Sequence, residues 1–170
     1  MLDAEPWGPT FMPSELDDET LGRYLDDFLW DDMRYLAAHP ETPALYDSGC
    51  VYIPEPRGKE VWRAVPHVLE NGGSVCHSLS CWRAAELRNA GIDARPVWTV
   101  QELGDGSALY HVVVYVAPCD LAPDGMLDAP SARLGMPGGI APQIAMPRTP
   151  QVANIRPPVN VFSKLALRAA

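Results

Sequence analysis

The stretch from Gly72 to Arg95, Gly-Gly-Ser-Val-Cys-His-Ser-Leu-Ser-Cys-Trp-Arg-Ala-Ala-Glu-Leu-Arg-Asn-Ala-Gly-Ile-Asp-Ala-Arg, constrains this chain more than any other. It reads as a glycine-rich turn, a cysteine, a helix and a glycine stop, after which a strand begins. Leu79, Trp82 and Ala85 recur every third residue and face a core, while Arg83, Glu86 and Arg88 stay wet. Ser74 or Ser78 is available to cap the helix start. Gly91 suits the left-handed residue that follows a helix end. Cys76 then sits where unsatisfied amide N–H groups and the helix dipole favour a thiolate.

An ordinary cysteine, with a pKa near ~8.5, is only a few per cent thiolate at neutral pH. Lowering that pKa by two or three units takes roughly 3–4 kcal/mol of preferential anion stabilisation. A helix N-terminus supplies part of this, and a neighbouring imidazolium supplies more. A histidine that reaches Cys76, and a group that orients it, are therefore the residues to look for. Downstream, Ala94 to Glu102 reads as a strand, Gly104-Asp105-Gly106 as a turn and Leu109 to Val116 as a second strand. Alternation places Leu109, His111, Val113 and Tyr115 on one face of it. Residues 118–125 form a loop, and Met126 to Pro130 a short third strand ending at an aspartate. The resulting order is Cys76 on a helix, His111 on one strand and Asp128 near the next.

These residues resemble the core of the transglutaminase-like superfamily, which shares a papain-like cysteine-protease arrangement. The resemblance runs through Cys76, through Ala84-Ala85-Glu86-Leu87-Arg88-Asn89-Ala90-Gly91-Ile92-Asp93-Ala94-Arg95, through His111, and through Asp128 before Ala129-Pro130-Ser131. It covers about residues 60 to 136. It implies an α+β fold in which the cysteine helix packs on a small antiparallel sheet, with extended N- and C-terminal arms. It also implies a Cys76–His111–Asp128 triad acting on peptide or glutamine-type amides. Relatives of this shape often carry an acidic residue on each side of the cysteine; Val75 and His77 stand there in this chain.

The triad assignments can be weighed on geometry. His77 rivals His111 by proximity, but adjacent helical residues point about 100° apart, so His111 is the expected base. His67, on a short upstream helix, is expected to be structural or exposed. Asp128 is preferred over Asp120 and Asp124 as the residue holding the imidazole. The Cys76 amide is the expected oxyanion donor, with Trp62 a candidate for the second.

Composition narrows the alternatives. At 170 residues the chain holds one domain with appendages, and its 18 prolines and 13 glycines imply long irregular connections. A net charge of −9 leaves no basic stripe for nucleic acid. No run is long and apolar enough for a membrane span, and no signal-peptide pattern opens the chain, so a cytoplasmic protein is expected. The four cysteines, 50, 76, 81 and 119, have no zinc-ligand spacing. No metal or cofactor is expected, and Cys50, Cys81 and Cys119 read as small buried hydrophobes.

The domain organisation follows from the same pattern. Residues 1–13 are an extended arm whose Trp7 and Phe11 should pack on the domain or on a partner. A helix over 14–38 opens at Ser14, with Asp17 in a capping-box-like position and Asp18 and Glu19 in its first turn. Leu21, Leu25, Phe28, Leu29, Met33 and Leu36 line its core face, and Asp26, Asp27, Asp31 and Asp32 take a solvated one. Val51 to Ile53 is extended, and Glu60 to Glu70 is a helix broken or kinked at Pro66. Residues 137–170 form a proline-rich arm too apolar for a solvated linker, with a short helix over 163–168.

Two functions follow. One is a cysteine hydrolase or acyltransferase of peptide or protein substrates. The other is a structural or assembly protein of a phage virion, for small proteins of this layout resemble ones encoded among tailed-phage structural genes. Val75 and His77 beside the cysteine, and two arms (residues 1–13 and 137–170) fit for subunit contacts, speak for the second.

Overall fold

The computed structural model describes residues 10–11, 17–56, 58–102 and 108–136. Helix α1 (Asp18–Ala38) precedes a 3₁₀ turn (Leu45–Asp47), and helices α2 (Val65–Asn71), α3 (Cys76–Asn89) and α4 (Pro130–Arg133) follow. Strands β5 (Ala94–Glu102), β6 (Ala108–Val116) and β7 (Met126–Asp128) form an antiparallel sheet in that order. Two small ladders complete the fold: β1 (Thr10–Phe11) pairs antiparallel with β3 (Val61–Trp62), and β2 (Val51–Tyr52) pairs parallel with β4 (Gly73–Ser74). The architecture is mixed, with helices beside small sheets, as an α+β reading expects.

The core follows the alternation of the strands. Ala94, Trp98, Val112, Val114 and Val116 pack against Leu21, Leu25, Phe28 and Leu29 of α1 and Cys81, Ala84 and Ala85 of α3. Pairing Trp98 with Val112 and Ala94 with Val116 keeps these side chains on one face, since directly opposed residues share a face. A second cluster joins Leu79 and Trp82 of α3 to Val65 and Val68 of α2 and to Leu45 and Cys50.

Helix ends differ from expectation in instructive ways. Asp17 is the N-cap of α1, its carboxylate accepting from the Thr20 amide at 2.7 Å; the predicted start at Ser14 lies outside the described residues. Neither Ser74 nor Ser78 caps α3. Val75 holds that position, and Ser78 Oγ accepts from the Arg63 amide at 3.0 Å instead. Gly91 stops α3 as expected: with φ at 81°, it lets Gly91 and Ile92 donate back to the carbonyls of Arg88 and Leu87. Where a helix was expected from Glu60, β3 precedes α2, and Pro66 sits in the first turn of α2, where its missing N–H costs nothing.

The acidic face of α1 is not uniformly solvated. Asp32 is fully buried, and its carboxylate accepts from the Val65 amide at 2.8 Å. It thereby meets one of the orphan donors of α2, whose own N-cap Ala64 has no side chain to do so. Asp31 is also buried. Burial and the neighbouring Asp27 push the Asp26 carboxyl up to about 6, against the pull of Arg88 and Arg95.

Among the described residues no helix is long and apolar enough to cross a membrane. The Gly104–Gly106 turn, most of the 1–13 arm and the whole 137–170 arm lie outside the described residues, as does the side chain of Leu109.

Candidate functional site

The cysteine is aimed by main-chain geometry. Gly73 approaches β2 so closely that a Cβ there would lie 1.9 Å from the Val51 carbonyl oxygen, and its φ is 149°. Only glycine fits, so the turn before the helix can lie flat on β2. Val51 and Ile53 donate to the carbonyls of Gly72 and Ser74 at 3.1 and 2.9 Å, and α3 begins two residues later with Cys76.

The first turns of α3 lie along β6. Strand β7 ends at Asp128, opposite Val114, leaving the N–H and C=O of Val112 without a strand partner on that side. The helix takes the carbonyl: Ser80 Oγ donates to it at 3.1 Å, and the Val112 backbone is among the groups that act to lower the Cys76 thiol. Cys76 is partly exposed and packs against the cluster that contains Trp62 and Val112. His111, the residue before Val112, is half-buried. The helix that opens with Cys76 is thus tied to the strand that carries the expected base, at the residue following His111.

The electrostatics differ from those expected of a preformed thiolate. Burial pushes the Cys76 thiol above its ordinary value and the nearby Glu60 carboxylate adds to this, outweighing the amides of Val112, His77 and Cys76 itself. Burial moves His111 the other way, below the usual imidazole range. Both shifts favour the neutral thiol of Cys76 and the neutral imidazole of His111 at pH 7. Tyr52 neighbours the site as well; burial, then the charge on Cys76, raises its phenol.

Asp128 is not joined to His111. Its buried carboxylate accepts from the Tyr46 hydroxyl at 2.7 Å and from Arg83 Nε at 3.1 Å, with Arg133 at 3.6 Å. Tyr46 lies between the two guanidiniums, whose centres are 5.0 Å (Arg83) and 3.8 Å (Arg133) from its ring centre. The reason is register. Asp128 opposes Val114, and Val114 and His111 are three residues apart, hence on opposite faces of the strand. Helix α4 follows β7 at once, and its Ser131 Oγ lies 3.5 Å from His111 Nε2.

His77 is buried with its ring edge-on to Trp62, centres 4.1 Å apart. Burial, then Arg63, depresses its protonation to about 3, so it stays neutral. Trp62 itself is buried among Tyr24, Phe28 and His77. His67 pairs with Glu70 on α2 at 3.2 Å. Cys50 and Cys81 are buried, Cys119 only partly. Among the described residues no group of His, Cys, Asp and Glu is placed to hold a metal ion.

Sequence reasoning missed Ser131, Ser80 and the Val112 amide. Finding Ser131 needs β7 and the helix after it placed on β6, across a nine-residue connection (117–125) with no two-residue hairpin signature.

Comparison of the chain with family models, with curated proteins and with solved structures finds no match.

Proposed function

We propose that this chain is a cysteine-dependent hydrolase or acyltransferase with a transglutaminase-like, papain-like core, acting on peptide or glutamine-type amides. The observation that carries this reading is the placement of Cys76 at the start of α3, whose next turn is bonded through Ser80 to Val112, the residue after His111 in β6. The shifts described above favour general-base chemistry over a resting ion pair. His111 takes the thiol proton as sulfur attacks the carbonyl carbon. The tetrahedral oxyanion draws on backbone amides around the sulfur. Collapse breaks the C–N bond, His111 returns the proton to the leaving amine, and a thioester remains on Cys76. Water or a second amine then takes the acyl group.

The test is acylation by a nitrophenyl ester and by a glutamine-containing peptide, with the modified residue mapped by mass spectrometry. Acylation at Cys76, abolished in Cys76→Ala and slowed roughly 10²-fold in His111→Ala, supports the reading. Acylation spread over Cys76 and Cys119 and indifferent to His111 sinks it.

A second reading has its own support: the Cys76 thiol, shifted upward, stays protonated at pH 7, and Asp128 is engaged elsewhere. In it, the fold is a structural or assembly component of a phage virion, making subunit contacts through residues 1–13 and 137–170. Under that reading, deleting 137–170 abolishes self-assembly in sedimentation, and Cys76→Ala changes nothing. A host-cytoplasmic site of action, with the particle as a second location, goes with either reading.

A further inference from the structure

The partner of His111 carries an inference that rests on the catalytic reading just proposed. His111 Nε2 lies 3.5 Å from Ser131 Oγ, and Ser131 is fully buried at the start of α4. Its place is fixed twice over. Helix α4 opens at Pro130, two residues after β7 ends at Asp128, so Ser131 lies in its first turn close to the end of the β6–β7 ladder. The main chain of α4 is then tied down on its far side, where Tyr52 donates to the Leu134 carbonyl at 2.9 Å and Met136 donates to the Ser131 carbonyl at 2.9 Å. The carboxylate three residues earlier belongs to Tyr46, Arg83 and Arg133.

We infer that Ser131, and not Asp128, is the positioning residue of His111, accepting a hydrogen bond from Nε2–H and so leaving Nδ1 as the nitrogen that takes the Cys76 proton. A neutral imidazole has one N–H and one lone pair, and whichever nitrogen is occupied by a partner decides where the other proton can go. A hydroxyl suits a site of low polarity. It fixes the tautomer without adding a second buried charge, and no nearby carboxylate raises the His111 pKa. The separation stands at the long end of a hydrogen bond, as such contacts often do before substrate arrives.

Nitrogen-resolved NMR of the His111 ring in the unmodified full chain tests this directly, whatever the reactivity of Cys76. The Nε2–H tautomer is expected; a dominant Nδ1–H tautomer overturns the inference. Ser131→Ala should redistribute the tautomers and slow ester acylation of Cys76 roughly tenfold, part of the ~10²–10⁴-fold that a positioned general base supplies. Ser131→Asp places a carboxylate at the same position. It should raise the ring pKa by about one unit or more, moving the acidic limb of the acylation profile to higher pH by the same amount. Unchanged tautomer and unchanged pH profile in a folded Ser131→Ala chain would refute the role. Should Ser131→Ala fail to fold, the tautomer of the parent and the Ser131→Asp profile still decide. Failure of acylation at Cys76 in the parent, with the Nε2–H tautomer present, would count against the enzyme and leave the pairing of Ser131 with His111 standing.

Discussion

Replacing Asp128 separates an architectural carboxylate from a catalytic one. The carboxylate is 4% exposed and binds three groups, so truncation to alanine strips two guanidiniums of a counter-charge and the Tyr46 hydroxyl of its acceptor. Breaking a buried ion pair from one side costs about 3–5 kcal/mol, and a hydrogen bond to a charged group is worth about 1.5–3 kcal/mol. Two features reduce the loss here. Arg83 keeps Glu86 at 2.9 Å, and Arg133, with its side chain 57% exposed, keeps water. The Tyr46 hydroxyl, whose ionisation is suppressed by burial and then by Asp128, is the group left with least. Asp128→Ala should therefore cost about 2–4 kcal/mol, and the near-isosteric Asp128→Asn about 1–2 kcal/mol. At about 2–4 °C per kcal/mol for a chain of this size, the alanine variant should melt roughly 4–16 °C lower. Urea unfolding followed by tryptophan fluorescence measures the loss. Tyr46→Phe should account for about 1–2 kcal/mol of it and be strongly non-additive with Asp128→Asn in a double-mutant cycle. In the folded Asp128→Asn protein, His111-dependent acylation of Cys76 should be within about twofold of the parent, because the carboxylate holds no catalytic group. An Asp128→Asn chain of parental stability that loses acylation as completely as His111→Ala would refute the assignment.

Other outcomes follow from features already described. Gly73→Ala forces a methyl group into the Val51 carbonyl and should cost at least about 3 kcal/mol, read as a lowered urea midpoint with unchanged slope; a variant of parental stability would contradict the close approach. Asp26 binds its proton more tightly in the native state (about 6) than unfolded (3.8), so its contribution to stability is full below about pH 4 and lost as pH rises through 6. Asp32 acts in the same direction. Asp26→Asn should accordingly flatten the stability–pH curve between pH 4 and 6, and an unchanged slope in urea titrations would exclude Asp26 as its source. Because burial raises the Cys76 thiol, its alkylation by iodoacetamide should keep climbing beyond pH 9; a plateau below pH 8 would mean a thiolate stabilised by forces not seen here.

What could be read from sequence was local. The 72–95 pattern places α3, its Gly91 stop and strand β5 because a three-residue apolar spacing and a glycine past the last turn are properties of neighbours along the chain. His111 on the second strand follows from the same logic. What failed depends on pairing between distant segments. The partner of His111 is set by where α4 starts beyond β7, invisible until β7 is placed on β6. The buried state of Asp32 reflects the start of α2, 33 positions away, which local amphipathicity cannot anticipate. The thiol shifts upward because its surroundings are dry, whereas the helix terminus alone argued for the reverse.

Strand β2 deserves a last consideration. Its amides reach Gly72 and Ser74 ahead of the cysteine helix and Leu134 just past α4, so three remote segments are laced by peptide groups rather than by chemistry peculiar to any side chain. Every amino acid except proline carries the atoms such lacing requires. Sequences can therefore drift far while preserving the scaffold, provided position 73 stays glycine.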